Sequence, residues 1–276
     1  MRKLIFGALA GLLVTGLIPA TAAAQGEAPG APGTHPSWLP ANKTGFGTAH
    51  DRSSNVWFTL QGGQLSEVYY PDMSTPSVRS MDFVVTDGRS FAVTDYSAKS
   101  QQVRRTGDDS LTYEQTVTDD QHRWRLRKTY VTDPAATTVL VDVDFQSLTG
   151  RPYQLYAVAD PDLTNDGSDD SAARSGDALT AQDATNAAAL TAQPAFTTTS
   201  VGYAGASDGN TQLTKTFKLD RYDTAAKGNV VLTGRTNADG VRDRHVTVAL
   251  GMGAKAADAL KSAQASQRRG FRDIAR

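Results

Sequence analysis

From residue 55 to residue 250 much of the chain alternates apolar and polar positions at period two, the spacing at which one face of a strand meets a core. The clearest runs are 55–60, 64–70, 111–118, 123–131, 138–145, 153–159 and 244–250. In 138–145, Val139, Val141, Val143 and Phe145 suit a buried face, opposed by Leu140, Asp142 and Asp144. In 123–131, Trp124, Leu126, Lys128 and Tyr130 share one face, while Arg123, Arg125 and Arg127 share a solvated one. Turn chemistry separates the runs: Gln61-Gly62-Gly63, Asp87-Gly88, Asp119-Asp120, Asp133-Pro134, Thr149-Gly150 and Asp239-Gly240. Glycine there supplies positive φ, and aspartate bonds its own backbone. Many strands joined by tight turns predict an all-β protein, a large antiparallel β-sandwich of two sheets over residues 41–253.

Both ends depart from this period. Arg2 and Lys3 precede the apolar run 4–18, Pro19 and the small residues Ala22-Ala23-Ala24, an export signal over 1–24. Residues 25–40, rich in Pro and Gly, read as a flexible leader. At the other end, residues 254–276 have helical composition, with Leu260, Ala263, Phe271 and Ile274 as a thin apolar stripe and a bend near Gly270. Two readings of this helix stand: a solvated terminus, or a linker leading to a further domain. Residues 211–219 read as one more strand.

Composition narrows the function classes. Signal cleavage removes Arg2 and Lys3 from 28 basic residues and leaves all 29 acidic ones, so no polybasic tract invites nucleic acid. The mature chain is expected to be secreted, with no membrane segment. The 276 residues include no cysteine, which excludes disulfides and thiolate metal sites and leaves stability to the core.

Residues 47–76, with Gly47-Thr48-Ala49, Val56-Trp57-Phe58-Thr59-Leu60 and Glu67-Val68-Tyr69-Tyr70-Pro71 ahead of Pro76, resemble the N-terminal domain of bacterial glucoamylases and glucodextranases of glycoside hydrolase family 15. Further matching segments follow in the family's order: 83–88, 165–170, 201–203 with 207–209, and 228–231. The resemblance covers the chain from about Pro36 to its last residue. It implies a supersandwich like that of galactose mutarotase, followed in the family by a helical barrel. The barrel carries the two glutamates that hydrolyse α-glucans with inversion, and this sequence ends before it. The implied role is therefore a non-catalytic scaffold that caps the barrel and shapes the substrate entrance. Its implied partners are α-glucans or their oligosaccharides and the barrel itself.

Several local patterns suggest chemistry. Trp57, Glu67, Tyr69, Tyr70 and Asp72 group a carboxylate with aromatic rings, as sugar contacts do, although Glu67 equally suits a structural hydrogen bond and the rings a core. Gly205-Ala206-Ser207-Asp208-Gly209 fits a nucleophile pattern that needs a strand–turn–helix elbow and a histidine. Residues 160–170 hold five aspartates. An EF-hand is rejected because Ala173 stands where its bidentate Glu belongs, which leaves an irregular calcium loop or, preferred here, a hydrogen-bonded turn. No cofactor is expected. Two alternatives to the scaffold remain: a free-standing carbohydrate-binding module, which calls for an exposed aromatic row, and an aldose-epimerase-like enzyme using His122 or His245 with a carboxylate.

Overall fold

The computed structural model describes residues 25–49, 53–107, 111–238 and 244–276. The export signal lies outside the described residues. In chain order the first strands are β1 (Gln25–Glu27), β2 (Gly45–Gly47), β3 (Trp57–Gln61), β4 (Gln64–Tyr69), β5 (Pro76–Thr86), β6 (Ala92–Thr94), β7 (Ser100–Arg105), β8 (Tyr113–Thr118) and β9 (Trp124–Thr132). Then come β10 (Thr138–Ser147), β11 (Gln154–Pro161), β12 (Asp170–Ser175), β13 (Ala178–Gln182), β14 (Ala187–Gln193), β15 (Thr198–Tyr203), β16 (Tyr222–Gly228), β17 (Val230–Arg235) and β18 (Arg244–Gly253). The helices are α1 (Gly209–Thr216), α2 (Ala256–Arg269) and α3 (Phe271–Ile274). Among the described residues no helix is long and apolar enough to cross a membrane.

The strands form two stacked sheets. The first has ten strands in the order β1-β16-β12-β13-β14-β18-β10-β9-β8-β7. The second has eight, β15-β17-β11-β5-β4-β3-β2 with β6 beside the far half of β5. The inward faces follow the sequence pattern: Val139, Val141, Val143 and Phe145 of β10 and Trp124, Leu126 and Tyr130 of β9 meet Phe58, Leu60, Met81, Phe83 and Val85 of the second sheet. Gly62 and Gly63, at φ 52° and 82°, make the β3–β4 turn, with Gln61 and Gln64 paired as the last strand residues.

Three sequence expectations give way. The 25–40 stretch is no flexible leader. β1 pairs in parallel with β16, the Thr34 amide donates to the Ala204 carbonyl at 2.9 Å, and Trp38 Nε1 donates to Asn165 Oδ1 at 2.8 Å. Residues 209–216 are helical rather than extended, because Asp208 caps the Thr211 amide at 2.9 Å and Leu213 packs on Val84, Tyr156, Val158 and Val231.

The terminal helix is not a solvated appendage either. Ala259 and Ala263 of α2 are fully buried on the outer face of the ten-stranded sheet, over Leu140, Ala187, Ala189 and Ala249. Such close approach requires glycine beneath: a Cβ at Gly251 would lie 2.3 Å from the Ala259 carbonyl oxygen. Buried Asp133 fastens the far end, accepting from Ser266 Oγ at 2.6 Å and from Arg269.

Candidate functional site

The structure brings together three of the five sequence-predicted residues and separates the other two. A register shift in the β3–β4 pair puts Ser66 and Glu67 on the outer face, while Leu65 and Val68 point into the core. Trp57 stands directly opposite Tyr69, and both are half-buried. Glu67 beside them is 5% exposed, accepting from Lys43 Nζ at 2.6 Å and from Thr59 Oγ1 at 2.7 Å. This carboxylate is thus engaged by β3 and by the segment that leads into β2. Burial, reinforced by Glu67, raises the Tyr69 phenol above its usual range.

Tyr70 packs instead against the core, and its carbonyl accepts from Ser77 Oγ at 2.9 Å. Asp72 shapes its own loop: Oδ1 accepts from the Ser74 amide at 2.8 Å and from Ser74 Oγ at 2.6 Å, which holds its carboxyl below the usual range.

Gly205–Asp208 does lie between β15 and α1, which begins at Gly209, so a strand–turn–helix elbow exists. Ser207, however, is 4% exposed and its Oγ accepts the Tyr203 amide at 2.9 Å, which makes it a turn residue. His122, one of the two histidines an epimerase-like enzyme would use, occupies a turn at φ 53°, where the Asp119 carbonyl accepts its amide. His245 does lie in β18, with Nε2 2.9 Å from Asp142 and Nδ1 3.1 Å from Asp144, so both ring nitrogens are occupied.

The acidic loop is folded by its own carboxylates. Asp162 accepts the Gly167 amide at 2.6 Å, Asp166 the Ser168 amide at 3.2 Å, and Asp170 the Leu163 amide at 3.1 Å. Asp162 Oδ2 and Asp170 Oδ1 have no protein partner. Burial, reinforced by Asp183 and Asp162, pushes the Asp170 carboxyl up to about 8. Among the described residues, no three His, Cys, Asp or Glu side chains gather closely enough to hold a metal ion.

Sequence reasoning passed over a second polar group, on the outer face of the eight-stranded sheet. Asp82 of β5 and Asp160 of β11 line one cleft with Arg79, Tyr96 and Asn210. Burial drives Asp82 well above the usual carboxylate range, with Asp95 and Asp160 adding to it, and drives Asp160 up to about 7 against the pull of Arg79. The available signal was Asp82 itself, a charge inside the apolar run Met81-Asp82-Phe83-Val84-Val85.

Comparison with known proteins agrees with this architecture. The profile of the family described as glucodextranase, domain N, matches residues 28–276. A glucoamylase of Clostridium sp. (strain G0005) is 33% identical over 206 residues, spanning 72% of this chain and 29% of the glucoamylase. The crystal structure of a bacterial glucoamylase complexed with acarbose superposes at a TM-score of 0.84 and 29% identity. That match covers 92% of this chain and 38% of the glucoamylase, so the chain spans well under half of either relative. The chain belongs to the glucodextranase domain N family.

Proposed function

We propose that this chain is the non-catalytic N-terminal scaffold of a secreted α-glucan exo-hydrolase of glucoamylase or glucodextranase type. Its task is to cap the helical barrel that holds the catalytic glutamates. The observation that carries this reading is the superposition of nearly the whole chain onto one part of a larger glucoamylase. The side chains are consistent with it: inverting hydrolysis needs an acid and a base roughly 6.5–9.5 Å apart with room for water, whereas Glu67 is buried and committed to Lys43 and Thr59. Its glucan contacts are those of the whole enzyme. A binding-module reading is weaker, because the exposed large apolar residues among those described, Phe46, Met73 and Tyr96, form no row at period two.

A chimera tests the scaffold role. The matching segment of the Clostridium glucoamylase is deleted in one version and replaced by this chain in another. The deletion should lose folded, active enzyme and the replacement should restore it. A deletion as stable and active as its parent would remove the basis of the proposal.

No cofactor enters this proposal. The acidic loop is read as a self-bonded turn, so a chelator should leave the melting temperature unchanged. Calcium held at micromolar affinity would add about 4 kcal/mol at millimolar concentration, and a drop of several degrees on chelation would reverse that reading.

A further inference from the structure

Residues 34–42 cross the outer face of the eight-stranded sheet and are not part of it. Residues 34–39 roof a cleft of about 350 Å³ whose floor includes Arg79 and Asp82 of β5 and Asp160 of β11. Separated polar contacts, rather than packing, hold this span in place. At one end the Thr34 amide donates to the Ala204 carbonyl at 2.9 Å, and Asn229 Nδ2 donates to the Thr34 carbonyl at 3.0 Å. In the middle Arg79 Nε donates to the Ser37 carbonyl, and Trp38 Nε1 donates to Asn165. Just past the far end, Lys43 pairs with Glu67. None of residues 34–42 is itself buried. A segment with so few buried apolar contacts opens at much lower cost than the sheets beneath it.

The groups under the span favour its opening once they are charged. Asp82 Oδ1 and Asp160 Oδ1 have no hydrogen-bond partner and are sealed from solvent. Burial favours a neutral carboxyl, and it lifts Asp160 to about 7 although Arg79 Nη1 lies 3.2 Å from Asp160 Oδ2. The surroundings compensate little. Asp95 acts on Asp82 from the turn Asp95–Ser97, but Lys128 is already engaged by Asp95. Asp162 and Asp208 act on Asp160 and add negative charge. Tyr96 also lines the cleft, and the basic side chains that do so are Arg79 and, on the span itself, His35. Once ionised, the two carboxylates require water, and the span stands between them and solvent. Arg79 links the two levels, because one guanidinium holds both Ser37 and Asp160.

We propose that residues 34–42 form a pH-sensitive strap, latched by Arg79, that lifts from the eight-stranded sheet when Asp82 and Asp160 ionise. The seated strap is favoured while these carboxyls keep their protons. It loses that advantage as pH rises through about 7, where Asp160 gives up its own.

Hydrogen exchange of the purified protein tests this, read by NMR at the Thr34 amide and the Trp38 indole N–H and corrected for the intrinsic pH dependence of exchange. The opening constant at both sites is expected to be about tenfold or more larger at about pH 8.5 than at about pH 5.5. At each pH it should exceed that of the Val141 amide in β10. Asp82→Asn with Asp160→Asn should remove most of the pH dependence. Arg79→Gln should raise opening at the lower pH, and it carries the test if the double variant fails to fold. His35→Gln, which alters the strap's own titratable group, should leave the dependence in place. Opening constants equal at both pH values, or unchanged by Arg79→Gln, would disconnect the strap from the groups beneath it. Smaller constants at the higher pH would mean that ionised Asp160 tightens the latch. Openings no more frequent than those at Val141 would make them part of global unfolding, and loss of the dependence in His35→Gln would move the trigger to the histidine. Each of these results overturns the proposal.

Discussion

Asp95→Ala is expected to destabilise the protein by about 3–5 kcal/mol, a large share of the roughly 5–15 kcal/mol that holds a typical domain together. Lys128 is fully buried between the sheets, where its ammonium donates to Asp95 Oδ2 and to the Gly63 carbonyl. Its Nζ lies 5.6 Å from the centre of the Phe83 ring and 5.9 Å from that of Tyr130, close enough for a favourable cation–π contribution. Removing the carboxylate strands the ammonium in this interior, where water cannot replace its partner. Replacing both members by apolar residues, as in Lys128→Met with Asp95→Leu, removes the two desolvation costs together and should recover most of the loss. Urea unfolding at neutral pH measures all three proteins. An Asp95→Ala variant within about 1 kcal/mol of the parent would show that the pair is not the buried ion pair described.

Stability should fall, rather than hold level, between about pH 5 and pH 8.5. Burial raises Asp160 to about 7 and Asp170 to about 8, both well above the carboxylate value of 3.8. Each carboxyl therefore binds its proton more tightly in the folded state. Its contribution is fully present below the unfolded pKa and disappears as pH rises through the folded one, between 7 and 8 here. Asp119 and Asp144 shift the other way, held low by Arg123 and Arg127, and their contribution is lost as pH drops below the ordinary carboxylate range. The two opposing sets place the stability maximum at mildly acid pH. The melting temperature should drop by about 5 °C or more over this window. Asp160→Asn with Asp170→Asn keeps the shapes, removes these two titrations and should make the fall shallower, leaving the part that buried Asp82 contributes. A parent protein equally stable at both ends of the window would count against these burial-driven shifts.

The parts of this fold legible in the sequence are those fixed by local alternation. β9 and β10 show their inward residues at period two, and Lys128 fell on the buried face of that pattern beside Trp124, Leu126 and Tyr130. Its partner Asp95, 33 residues earlier in a short 3-10 turn, had no local signature. The same limit hid the docking of residues 25–40, which depends on distant partners such as Ala204, Asn165 and Arg79. α1 was misread because its stability comes from the Asp208 cap and one buried leucine rather than from an apolar stripe. Of the predicted contact residues, the alternation of β3 and β4 gathered Trp57, Glu67 and Tyr69 on one face, whereas Tyr70 and Asp72 were drawn off by the core and the loop. The cleft around Asp82 and Asp160 assembles from segments far apart in the chain, so its local signal was confined to the charges Arg79 and Asp82 within the apolar stretch of β5.

The most direct test of the scaffold account is glucose release by the purified chain. Incubated with maltose, starch and dextran, it should liberate no glucose above a buffer blank, because the proposed role leaves the acid and base of inverting hydrolysis to the barrel. Steady turnover that co-purifies with the protein and disappears in Glu67→Gln would contradict it, placing catalysis on the outer face of the sandwich itself.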